Sequence, residues 1–190
     1  MKSLFLPEKE YLKIYDDFIA SCSDPDIDLS KFIFTRNSTS DYSYYNIYIS
    51  IQNGSKDDVR GSFYFDGNED PTIEIEIINH HLKYDDIYFK RIFINCLAHE
   101  FRHSFQEDEE TFSHNNYISY FLDEREADAF SYGFFIEKQI YGGDYGIMID
   151  EYLSLYLAVS SRSEISLVKK TWMLKIKEIE KEPRWKIKDK

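Results

Sequence analysis

The chain has 190 residues, 43% of them hydrophobic, and a formal net charge of −12. That length and apolar content suit one compact domain, residues 1–190, burying roughly 70% of its unfolded surface. The negative charge argues against nucleic acid as the main partner, and no stretch is long enough to span a membrane.

At the N-terminus, Leu4, Phe5 and Leu6 form an apolar run before Pro7 that is too short for a signal peptide, so the expected location is cytoplasmic. A charged helix follows Pro7. The pattern then changes to period two. Thr72 to Asn79 alternates apolar and polar residues, as a half-buried strand does. Tyr44 to Gln52, with Ile47, Ile49 and Ile51 on one face, and Gly61 to Phe65 read the same way. Asn53-Gly54 and Gly67 to Pro71 supply the turns. The expectation is a three- or four-stranded, largely antiparallel meander, with Lys31 to Thr35 as a further candidate strand. His80 and His81, after the last strand, read as turn or surface residues. The 16 Tyr and 15 Phe, including Tyr42, Tyr44 and Tyr45, read as strand and core packing rather than base-stacking platforms.

Asp85-Asp86 offers a helix N-cap, and Ile87, Phe89, Ile92, Phe93, Cys96, Leu97 and Phe101 then recur at three- and four-residue spacing. This predicts a largely buried helix of roughly 20 residues ending in the acidic run Glu107 to Glu110. Within it lies His99-Glu100-Phe101-Arg102-His103, an H-E-x-x-H sequence. Residues i and i+4 of a helix share a face, so both imidazoles can reach one ion, with Glu100 beside them to take a proton from a metal-activated water. The bland alternative is two histidines satisfied by backbone carbonyls. Cys96, about one turn before His99, reads as a small buried hydrophobe, and Cys22 lies beside a turn, so no disulfide framework is indicated.

A catalytic zinc site needs a third protein ligand and an open position. The metzincin continuation fails, because it requires Gly at position 106 and His at 109, where the chain has Gln106 and Glu109. A second helix is predicted from about Tyr117 to Tyr141. On a 100° wheel Glu124 shares an arc with Ala127, Ser131, Phe134 and Phe135, with Asp128 one turn on, while Glu126 points the other way, toward solvent. This reading makes Glu124 the third ligand and Asp128 the group that holds a ligand imidazole by its second nitrogen. Asp123, Arg125 and Glu126 read as a solvated charged face. After Gly142-Gly143 come two more helical patterns, about Ile147 to Ser160 and from Ser163 or Glu164 to about Lys181, with Ser163 as N-cap. The basic stretch Lys169 to Lys190 reads as a solvated helix end complementing its dipole.

H-E-F-R-H followed by E-R-E-A-D resembles the gluzincin pattern, H-E-x-x-H then E-x-x-x-D. The local form E-x-E-A-D-x-F is similar to that of small bacterial and phage metallopeptidases, including the ImmA/IrrE group and minimal gluzincins. The likeness covers about residues 71 to 137. The chain departs from the ImmA/IrrE pattern in lacking a helix-turn-helix region and in carrying Arg102 where a small or apolar residue is common. The resemblance implies an α+β, zincin-like fold: a small sheet, a metal-binding helix and a mostly helical C-terminal half. It implies Zn2+ held by His99, His103 and Glu124, with Glu100 as general base, Asp128 behind the ligands and peptide hydrolysis as the activity. It also implies an edge strand near the metal helix that pairs with extended substrate. Ile73 to Ile78 is open to that role or to an ordinary core position. A cationic peptide or protein substrate suits the chain's charge. For the oxyanion donor, His114, Tyr117, Tyr120, Tyr141 and Tyr145 are candidates, although His114 also reads as a surface loop residue. Two other classes stay open: a zinc-binding protein that is inactive or needs a partner, and an interaction protein of immunity or antitoxin type. A zinc deaminase fails for want of His-x-Glu and Cys-x-x-Cys elements.

Overall fold

The computed structural model describes residues 6–22, 33–38, 45–53, 58–64, 71–79, 86–106, 116–158 and 160–182. The architecture is α+β. Contacts divide the chain into two compact units, Met1–Phe105 and Gln106–Lys190.

The first unit opens with α1 (Glu8–Cys22), whose Tyr11, Ile14, Tyr15 and Phe18 are buried. Four strands follow, β1 (Ile33–Ser38), β2 (Tyr45–Asn53), β3 (Asp58–Tyr64) and β4 (Thr72–Asn79), and then α2 (Ile87–His103). The strands form one sheet in the order β1-β2-β4-β3. β1 pairs with β2 and β3 with β4 antiparallel, whereas β2 and β4 run parallel. The expected meander is therefore corrected: β4 inserts between β2 and β3. Ile73 to Ile78 is an interior strand, not an edge, and among the described strands β1 and β3 are the edges. Period two predicted the faces correctly, because Ile47, Ile49 and Ile51 stand in register beside Ile73, Ile75 and Ile77, all buried. The α2 helix packs on β3 and β4. Its Phe93 stacks on Phe18 of α1, with ring centroids 5.6 Å apart, and Phe101 meets Tyr11 edge-on.

The second unit holds α3 (Tyr117–Leu122), α4 (Glu124–Tyr141), α5 (Tyr145–Tyr156) and α6 (Arg162–Ile179). The single helix expected over Tyr117 to Tyr141 is broken at Asp123, whose ψ of 136° is non-helical. Its carboxylate accepts from the backbone N–H groups of Arg125 and Glu126, capping the second piece. Throughout Ala129–Glu137 the α4 helix is buried. Trp172 of α6 stacks on Phe130, with centroids 4.8 Å apart, and donates its indole N–H to the Phe121 carbonyl at 2.9 Å. Ser161, rather than Ser163, caps α6 in a capping box with Glu164. Hydrogen bonds from Ser161 hold the Glu164 carboxyl below its ordinary pKa. No helix among the described residues is long and apolar enough to cross a membrane.

Candidate metal centre

Asp86 starts α2 by accepting from the Tyr88 N–H at 2.9 Å, which satisfies an otherwise orphaned donor. The helix then runs unbroken to His103, ending at Ser104 before the acidic run expected to close it, which lies outside the described residues. Its burial fixes the direction of the motif: His99 and Glu100 are each 5% exposed, and His103 is half-buried. The Nε2 atoms of His99 and His103 face each other at 3.0 Å. Two ligand nitrogens on a tetrahedral ion with Zn–N bonds near 2.0–2.1 Å stand about 3.3–3.4 Å apart. The pair is thus within a few tenths of an ångström of a ready chelate, and its donors are those zinc prefers. Glu100 Oε1 lies 3.8 Å from His99 Nε2, and one ligand atom from each of the three residues falls within 4.8 Å of the others. His99, Glu100 and His103 therefore come together as their spacing predicts, and the residues present fit a zinc ion.

The other wall around Glu100 is β3. Gly61 pairs with Ile75, which pairs with Ile49, so Gly61 faces inward on the row that the isoleucines define. Its neighbours on that side of β3 are Val59 and Phe63. The Glu100 side chain lies against the Gly61 Cα so closely that a Cβ built there would stand 2.6 Å from Glu100 Cδ and closer still to Cγ and Oε1. Cys96 sits one turn before Glu100 on α2. Burial first, then the Glu100 and Asp58 carboxylates, push its thiol well above the ordinary value. By its exposure Cys96 is half-buried, so the reading of it as a small buried residue holds only in part. Burial also pushes the Cys22 thiol up to about 11.

In the second unit the acidic segment differs from the wheel reading. The Glu124 side chain is 86% exposed and lies 3.2 Å from Lys175 Nζ of α6. Ala127 and Ser131 are indeed buried, but the face they form is covered by α6, with Ser131 Oγ donating to the Trp172 carbonyl at 3.2 Å. Glu124 thus stands at the outer end of a helix-packing face. Glu126, expected to point to solvent, is half-buried and has its Oε2 withdrawn from solvent. Asp128 accepts from Gln106 Nε2 at 3.3 Å. Asp123 accounts for the difference: a capping aspartate restarts the helix and leaves Glu124 as its first residue.

Among the expected oxyanion donors, Tyr145 donates its hydroxyl to Glu180 Oε1 at 3.3 Å and lies under Lys138 Nζ. Burial and the Glu180 carboxylate raise its pKa well above the ordinary value. Tyr117 and Tyr120 pack on Phe121, and the Tyr141 hydroxyl is buried. His80, His81 and His114 lie outside the described residues. Comparison of the chain with protein-family models, with curated proteins and with solved structures finds no match.

Proposed function

We propose that this chain is a zinc-dependent peptidase with a zincin-like fold. The observation that carries the reading is the convergence of His99 and His103 Nε2 at 3.0 Å on a buried helix that also holds Glu100 beside them. A bound zinc would polarise the scissile carbonyl and make water acidic enough to deprotonate near neutral pH. His99 and His103 hold the ion in this reading. Glu100 accepts the proton of the water as its oxygen bonds to the carbonyl carbon and returns it to the nitrogen as the C–N bond breaks, so the leaving group departs as a neutral amine rather than an amide anion. Its burial keeps bulk water from competing for that carboxylate. Among the described strands β3 is an edge; it runs beside Glu100 and suits an extended peptide, which would gain backbone hydrogen bonds there with little demand on sequence.

A catalytic zinc needs a third protein ligand, and the sequence pattern names Glu124 for it, with Asp128 behind the ligands. The test is elemental analysis of the purified protein, followed by digestion of a peptide library by wild type and Glu100→Ala. About one zinc per chain and cleavage lost in the variant are expected. Protein that neither carries nor takes up a transition metal would end the proposal.

A further inference from the structure

We infer that Gly61 is a positioning residue for Glu100: the glycine leaves a notch in edge strand β3 in which the Glu100 side chain rests. The inference builds on the peptidase reading and adds a component contributed by the sheet. The inward row of β3 reads Val59, Gly61, Phe63, so a single missing side chain separates two bulky ones. Glu100 fills that gap. The crowding that a Cβ would cause begins at Glu100 Cγ, near the root of the side chain. Rotating only the terminal carboxylate would not relieve it. The side chain would have to leave its χ1 or χ2 well, and helix geometry leaves few others. With Glu100 only 5% exposed, there is little open space to receive it. Any such move carries the carboxylate away from its place 3.8 Å from His99 Nε2.

Elsewhere a strand glycine is a weakness, since alanine in the same place costs less backbone entropy. Here the contact reverses that preference, and the reversal can be measured. The experiment compares wild type, Gly61→Ala, Glu100→Ala and the double variant. In metal-free protein, Gly61→Ala should lower the melting temperature when Glu100 is present. In the Glu100→Ala background the same change should leave it unchanged or raise it, because all three crowded atoms are gone. Failure of Gly61→Ala to fold, with the double variant folded, supports the notch equally. Loaded with zinc and given a quenched fluorescent peptide library, Gly61→Ala should lose about 100-fold or more in kcat, with KM and zinc affinity within about threefold. It should add nothing to the loss in Glu100→Ala. An equal melting penalty in both backgrounds would overturn the notch. Active wild type with an equally active Gly61→Ala would overturn the positioning role alone. Wild-type protein that cleaves nothing would instead overturn the peptidase reading, and the catalytic role with it.

Discussion

Glu100 is assigned proton transfer and no coordination, so its removal should separate metal from chemistry. Glu100→Ala should keep zinc and a folded far-UV spectrum while kcat falls by about 100-fold or more, read by peptide cleavage and metal analysis. The carboxylate pair 124 and 126 gives a sharper contrast. Glu124→Gln should weaken zinc at least 10-fold in chelator competition, while Glu126→Gln should change it by less than threefold. The reverse order would remove Glu124 from the ligand set. Cys96 should prove inert: with its pKa raised, the thiolate fraction at pH 8 falls below that of a free cysteine. Thiol-labelling rates at that pH should be far lower in folded than in urea-unfolded protein. The His-Glu-His cluster was legible in the sequence because i and i+4 meet within one helix, whatever else the chain does. The burial of the acidic segment was not. A wheel identifies an apolar arc only on a helix with one wet side, and α4 is buried all round over Ala129–Glu137.

Among the elements, the break at Asp123 has the largest consequence for the acidic segment. Its carboxylate holds two backbone donors, so Asp123→Ala should cost about 1 kcal/mol, seen as a lower melting temperature. The capping box at Ser161 and Glu164 makes a similar prediction for Ser161→Ala, at roughly 0.5–1 kcal/mol, whereas Ser163→Ala should be near neutral. Strands were legible in their faces and not in their order. The alternation of Ile73, Ile75 and Ile77 states which side is buried, but both neighbours of a strand bury the same face. Nothing in that pattern could say that β4 pairs with β2 on one side and β3 on the other. Gly61 was legible only as a strand residue, because the atom that needs its missing Cβ belongs to Glu100, 39 positions later in the chain.

For the whole molecule, the charge of −12 makes a prediction about association. Cationic peptides should be cleaved with higher kcat/KM than neutral ones of the same core sequence, and the advantage should shrink as salt rises from 50 to 500 mM. A salt-independent preference would place specificity in local pockets. Residue patterning announced an α+β protein with a leading helix, then strands, then mostly helices, and that order holds. They carried no sign that contacts would gather into two units dividing after Phe105.

The late arrival of β4 in the middle of its sheet also governs how the first unit can fold. Until residues 72–79 are in place, β2 has only β1 beside it and β3 has no lasting partner in the sheet, and the two are sequence neighbours of opposite direction, free to close on each other as a hairpin. That hairpin would have to open before β4 could enter. Refolding should therefore be slower than the helix-rich composition suggests, because the parallel β2–β4 ladder is a non-local pairing formed against a competing local one. Pulse-labelled hydrogen exchange would see it as amides of β2 and β4 gaining protection together, and after those of α1 and α2.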